Sequence, residues 1–349
     1  MTNDDTLASV HTANFPALLS ELRASVLVTT YQAGKLVVLR PDGGVLNTHY
    51  RTFARPMGLA ADRNRLALGA ASEIVEFYNM PAAARRLADP PRHDAVYLMR
   101  RRHVTGAIDI HEMAFDGAGK LWFVNTLFSC LCTLDEASSF VPRWRPPFVP
   151  GYAAEDRCHL NGLGMRDGEP RYVTALGATA TPQGWRENKR DGGVVMDVKT
   201  SEILARGLSM PHSPRWHDGR LWLLESGRGA LVTIDPATGA KTDVARVPGF
   251  ARGLDFAGPV ALIGLSQLRE TNAFTDIPIT QDNAERLSGV WAVHTGTGAT
   301  LAFVKFTGGV QEIFAVHALH GVAYPEIVFD GDLLASSYAL PDDALRDVR

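Results

Sequence analysis

No stretch of the 349 residues approaches about 18 uninterrupted apolar positions, so the sequence predicts no membrane-spanning helix. The opening residues carry Asp4 and Asp5 where a secretory leader would be basic, and no apolar core follows them. Cysteine is scarce: Cys130, Cys132 and Cys158 are an odd set without framework spacing, which excludes a disulfide-built domain and fits a reducing compartment. The expected location is therefore cytoplasmic. Charge of either sign is also lacking in excess, with 35 basic against 38 acidic residues and a net charge of −3. Such a chain has no global field to attract nucleic acid or a membrane surface, and the expected partner is a small-molecule substrate. There is no P-loop, no strand-to-helix GxGxxG, no GxSxG nucleophile elbow, no HExxH and no paired CxxC. No nucleotide or flavin cofactor is indicated.

What the chain has is spacing. The segment GKLWFVNTLFSCLCTLD at 119–135 realigns without a gap onto GRLWLLESGRGALVTID at 219–235, and weaker copies lie at 64–78 and 24–40. Each reads as two short apolar strands joined by a small turn. A further short strand precedes the internal copies, at MGLAAD 57–62, HEMAFD 111–116, HLNGLGMRD 159–167, HSPRWHD 212–218 and RGLDFA 252–257. These starts recur about every 40 to 55 residues, the period of four-stranded propeller blades. The N-terminal copy lacks its first strand, while VQEIFAVHAL at 310–319 is a strand without a following copy. Pairing the two removes exposed sheet edges. The prediction is all-β: a six-bladed β-propeller closed by pairing of a C-terminal strand with the N-terminal blade. Its blades are 310–320 with 24–52, then 54–106, 108–150, 157–208, 210–248 and 250–308. A pair of β-sandwiches is the competing architecture. The domain reading is an N-terminal extension 1–23, one propeller 24–320, and a C-terminal segment 321–349 packing on it.

In a blade, the loop before the innermost strand and the loop after the second strand open on the same face of the disc. That rule gathers the first-strand starts His111, His159 with Asn161, His212, Arg252 and Glu312. It also gathers the second-strand ends Tyr31, Gln32, Asn125, Glu225 and Gln267 with Glu270. Two second-strand exits, 177–193 and 266–289, exceed what a hairpin needs and read as lids over this mouth; the first carries Trp185 and Arg186. The opposite face shows only tight turns. A lone histidine near a strand end is usually a hydrogen-bonded core or surface group, but three at matching positions of successive blades point to a site.

Imidazoles with a neighbouring carboxylate or amide make a first shell for Zn²⁺, Mn²⁺ or Fe²⁺ with an open position, so His111, His159 and His212 are the candidate metal ligands. Such a metal would activate water or polarise a carbonyl, with Glu112, Glu225 or Glu270 as base. Arg252 would anchor an anion, because its planar fork suits carboxylate, phosphate or sulfate. Tyr31, Gln32, Asn125, Asn161, Trp185, Arg186, Gln267 and Glu312 would complete the binding surface. The leading expectation is an enzyme acting on a small polar anion by metal-assisted hydrolysis, lyase or isomerase chemistry. Two alternatives stand beside it: metal-free histidine acid/base or group transfer, and a non-catalytic pocket for a small molecule or peptide.

The strings SVLVTTYQAGKL at 25–36, GWRENKRDGG at 184–193, GLSMPHSPRW at 207–216, PGFARGL at 248–254 and FTGGVQEIF at 306–314 resemble those of an uncharacterised bacterial conserved-hypothetical family. The resemblance runs over roughly 17–330 and implies a β-propeller. A looser resemblance of fold links the chain to the gluconolactonase-like lactone hydrolases, which hold a divalent metal with Glu, Asn and Asp. It also extends to the arylsulfate sulfotransferases, which use channel His and Arg without a catalytic metal. His111, His159, His212 and Arg252 are similar in type to the latter set; both likenesses are of fold and carry little about function.

Overall fold

The computed structural model describes residues 5–267, 276–281 and 285–348. Its strands form six antiparallel four-stranded units arranged as a six-bladed β-propeller, two of them extended by one outer strand. The third blade runs outward through Ile110–Phe115, Leu121–Asn125, Cys130–Thr133 and Val141–Trp144; the fifth through Pro211–His217, Arg220–Glu225, Ala230–Ile234 and Lys241–Arg246. These are the two halves of the gap-free repeat. Between them lies the fourth blade, Leu160–Arg166, Glu169–Ala175, Gly193–Asp197 and Ile203–Leu208, and after them the sixth, Phe250–Ala257, Val260–Ser266, Gly289–His294 and Thr300–Phe306. The second blade carries Leu59–Ala61, Arg65–Gly69, Glu73–Asn79 and Ala95–Val104.

In the first blade the innermost strand is Ala315–His320, paired antiparallel with Ala24–Thr30 from Ala24↔His320 to Thr29↔Ala315. The strand begins at Ala315 rather than near Val310 as the apolar pattern suggested. Around its start, side-chain hydroxyls join the backbone bonding: Ile313 N donates to Ser266 Oγ at 2.9 Å and Ala315 N to Thr29 Oγ1 at 2.9 Å, beside the backbone bond from Phe314 N to the Thr29 carbonyl. Residues 312 and 314 of this segment border the cavity described below. Outside the blades proper, Ser9–His11 adds antiparallel to Thr300–Phe306, and Pro325–Val328 adds parallel to Ala95–Val104. No helix among the described residues is long and apolar enough to cross a membrane.

The core is not one mass but a set of layers between neighbouring blades. Leu27, Leu36 and Val38 of the first blade meet Leu66, Leu68 and Phe77 of the second. Val124 and Leu131 of the third meet Leu160 and Val173 of the fourth, and Trp222 and Leu224 of the fifth meet Leu254 and Ile263 of the sixth. Such strands are apolar on both faces because each face packs on a neighbouring blade, and this explains the continuous runs in the repeat. The three cysteines belong to these layers and are buried thiols. Burial pushes the Cys158 thiol up to about 12, so it is an inert packing group.

Candidate active site at the channel mouth

The inner strands of the third to sixth blades share an irregularity near their first residues. Their registers slip between Phe123 and Asn125, Leu160 and Gly162, His212 and Arg215, and Ala251 and Leu254. A bulge re-aims the side chains beside it. In the sixth blade the bulge requires a glycine: Gly253 has φ +83°, and a Cβ there would lie 2.6 Å from Val316 N. Five non-glycine residues in the left-handed region stand at this end, Asp109, Asp156, His159, Met210 and Ser213, with φ between 46° and 52°, while others such as Asp167 and Asp218 sit in hairpin turns elsewhere. Strained backbone of this kind persists where the surroundings enforce it, and it concentrates at functional sites.

These devices turn a set of polar side chains into one cavity of roughly 280 Å³, bounded by Tyr31, Arg55, Asp109, His111, His159, Trp185, Arg186, His212, Arg252 and Glu312, with Met57, Leu176, Met210, Phe250 and Phe314 as its apolar wall. His111 and His212 are held alike. His111 Nδ1 lies 3.0 Å from the carbonyl of Asp109 and 2.8 Å from Thr126 Oγ1; His212 Nδ1 lies 2.9 Å from the carbonyl of Met210 and 2.8 Å from Ser226 Oγ. Each hydroxyl gives its own proton to a carbonyl of the next blade, Thr126 to Leu160 and Ser226 to Ala251. A carbonyl accepts only, and a hydroxyl that has spent its proton accepts too. Nδ1 must therefore donate in both rings, leaving the lone pair on Nε2. Burial first, and the nearby Arg252 second, hold both imidazoles well below the ordinary histidine range, so both are neutral near pH 7.

His159 departs from this pattern. Its Nδ1 faces the Asp156 carboxylate at 3.0 and 3.1 Å, and the indole of Trp185 donates to the same carboxylate at 3.0 Å. The His159 ring lies 4.5 Å from the Trp185 ring and 4.9 Å, edge to face, from that of His111. Arg252 stacks its guanidinium 3.5 Å above the Phe314 ring, yet among the described residues it makes no hydrogen bond or ion pair. Burial draws its pKa down to about 10, so it still carries its charge at neutral pH. Arg55, in contrast, is engaged by Tyr31 Oη at 2.6 Å and Asp109 at 3.5 Å. Over the mouth, Trp185 packs with Leu176, Met210, Phe250 and Ile277, so the two long loops contribute to one apolar cover.

Eight residues expected at the mouth from their blade positions border this cavity: Tyr31, His111, His159, Trp185, Arg186, His212, Arg252 and Glu312. The others lie elsewhere. Glu112 pairs with Arg215, and Glu225 is buried against Lys241 and the Ser209 amide; neither carboxylate borders the cavity as a base would. Asn125 Oδ1 accepts from Phe128 N, and Asn161 Oδ1 from Thr174 Oγ1, within their own blades. Gln32 Oε1 accepts from Gln311 N at 3.4 Å, and Gln267 borders a small recess behind Arg252. Glu270 lies outside the described residues. Second-strand side chains face the layers between blades, and only innermost-strand residues and the loops beside them reach the channel, which is why Asn125 and Glu225 are turned away. Asp109, Asp156, Arg55 and Phe314 were not singled out. The signal for the aspartates was present, since each stands two or three positions before a mouth histidine. Among the described residues, no three His, Cys, Asp or Glu side chains form a group able to hold a metal ion, so His111, His159 and His212 are not drawn into one ligand set.

Fold and site together define a six-bladed propeller with a polar, partly covered cavity at one mouth of its channel. The chain belongs to the family described as domain of unknown function DUF4915, whose model matches residues 13–328. No curated protein matches it in sequence. Among solved structures, a chain of a nidogen/laminin complex is 12% identical, with 85% of this chain and 99% of that chain covered at a TM-score of 0.55. A protein of unknown function from Bacteroides caccae is 8% identical, with 85% and 98% covered and a TM-score of 0.52. A catalytically inactive virginiamycin B lyase from Staphylococcus aureus, solved with quinupristin, is 13% identical with 88% and 97% covered at a TM-score of 0.44. At such identities the likeness to the first two concerns the fold alone.

Proposed function

We propose that the chain is an enzyme that binds a small organic anion at the channel mouth and transfers a proton on it without a metal. The observation that carries this reading is Arg252, a charged guanidinium in a cavity wall that stacks on Phe314 but has no hydrogen-bond or ion-pair partner among the described residues. The carboxylates of Glu312 and Glu112 act on this charge from a distance, but the donors of its fork are unspent, and an anion docked on them would use them. His159 is the base: Nε2 takes a proton from the substrate, or from water attacking it. The Asp156 carboxylate stabilises the imidazolium, and the proton is returned as the product forms. The cover around Trp185 keeps water from competing. The Asp156–His159 pair favours this over the three-histidine metal reading, because it supplies a complete acid/base unit where no ligand cluster exists among the described residues.

The test is a panel of small carboxylates, esters and lactones incubated with the protein in D₂O and followed by proton NMR for product or for exchange of C–H with deuterium. Conversion or exchange that falls at least a hundredfold in Asp156→Asn is expected. Ligands that bind through Arg252 and are recovered unchanged and unexchanged would make the chain a binding protein instead.

A further inference from the structure

Resting on that reading of the site, we infer that the anion is a hydroxycarboxylate, whose hydroxyl groups donate to the Nε2 atoms of His111 and His212. The two rings are fixed by the same device: a left-handed residue two positions upstream offers its carbonyl, and a hydroxyl from the following hairpin closes the second side of Nδ1. Thr126 and Ser226 stand at the same place in the gap-free repeat, and each is anchored to the next blade's inner strand. Among the described residues nothing bonds to either Nε2, although both rings border the cavity. A neutral imidazole whose Nδ1–H is committed can only accept at Nε2. The wall therefore asks its ligand for donors while Arg252 asks for a negative charge. An ammonium would satisfy the acceptors but would sit beside Arg252 and Arg186 in the same small cavity, whose two carboxylates are already engaged, Asp109 facing Arg55 and Glu312 acting on Arg252. Hydroxyls donate without that repulsion. A site built to receive a substrate hydroxyl also rejects the analogue lacking it, because its own polar groups are left unpaired. Thr126 and Ser226 are thus positioning residues: they touch no substrate and set which nitrogen faces it.

The experiment has two arms on the full chain. The first measures binding of 2,3,4-trihydroxybutanoate, butanoate and 2-aminobutanoate to the wild type and to Arg252→Met, by calorimetry or ligand-observed NMR. Trihydroxybutanoate should bind at least tenfold tighter than butanoate, and Arg252→Met should lose both. Equal affinity for trihydroxybutanoate and butanoate, still dependent on Arg252, overturns the hydroxyl assignment and leaves the anion reading standing. Preference for 2-aminobutanoate overturns the choice of hydroxyl over ammonium. Binding that ignores Arg252, or no binding of any of the three, overturns the anion reading itself. The second arm needs no ligand: imidazole ¹⁵N shifts at neutral pH should show His111 and His212 as neutral Nδ1–H tautomers. Thr126→Val and Ser226→Ala should release each ring to a tautomer mixture. An Nε2–H ring in the wild type overturns the inference even if the variants fail to fold.

Discussion

The two ends of the central channel use the same residue types to opposite effect. Towards the far ends of the inner strands, a cavity of about 370 Å³ is bordered by Arg215, Asp255 and His317 among others. Every charge there has an internal answer. Arg215 pairs with Glu112 and donates to the carbonyls of Leu163 and Pro214; His317 faces Asp255 at 3.2 Å, and Asp255 also accepts from Ala318 N at 2.9 Å. At the mouth, among the described residues, Arg252 has no hydrogen-bond or ion-pair partner and nothing bonds to the Nε2 atoms of the three imidazoles. Residue type alone does not mark a site. What marks it is polar valence left unspent in a place where leaving it unspent is costly.

The sharpest way to break this contrast is to remove one arginine from each end. Arg252→Met should abolish anion binding, a loss of a hundredfold or more, while leaving unfolding stability near wild type, since among the described residues it deletes no hydrogen bond or ion pair. Arg215→Met should do the reverse and cost about 3–5 kcal/mol of stability, because it strands Glu112 in a largely buried position. Calorimetric titration and denaturant unfolding read the two effects; matching behaviour at both ends would remove the distinction. Next in size is the pair of histidine partners. Asp156→Asn should slow turnover about a hundredfold or more, within the usual range for acid/base groups, whereas Asp255→Asn should change stability by about 1–2 kcal/mol and leave turnover near wild type.

Acidification gives a smaller and graded effect. His111 and His212 are held below the ordinary histidine value in the folded chain, chiefly by burial. Below about pH 6.5 the unfolded chain therefore binds more protons than the folded one, so stability present at neutral pH is lost as pH falls. The slope should reach at most about 1.4 kcal/mol per pH unit for each ring. His317 at the other end is shifted the same way by burial but is partly offset by Asp255. Unfolding curves between pH 5 and 7 should flatten in the double variant His111→Gln, His212→Gln more than in His317→Gln. Smallest of all is Trp185→Phe, which keeps the ring over His159 and removes its donation to Asp156. A loss of about 1 kcal/mol, read as a several-fold drop in turnover, is expected.

Much of this was legible from spacing. The gap-free repeat fixed the blade unit, and the rule that first-strand starts share one face placed His111, His159, His212 and Arg252 together. Two kinds of information were not legible. Strand alternation and bulges decide which of two adjacent side chains enters the channel, so Glu112, next to His111, went to Arg215 instead. The second is partnership across blades: that Thr126 spends its proton on Leu160, or that Asp156 rather than a carbonyl faces His159, depends on contacts no periodicity encodes. Phe314 and Glu312 border the cavity on a segment where hydroxyls of Ser266 and Thr29 accept from the amides of 313 and 315.

That last feature bears on how the protein comes to life. The mouth takes Tyr31 from near one end of the chain and Glu312 with Phe314 from near the other, and the strand Ala315–His320 lies against Ala24–Thr30. On the ribosome, five blades can be stacked while the floor under Arg252 is still missing. A nascent or prematurely terminated chain that stops before residue 312 holds all three mouth histidines and Arg252, yet it has no closed pocket in which to use them. The cavity is thus completed only when the final inner strand seats against Ala24–Thr30.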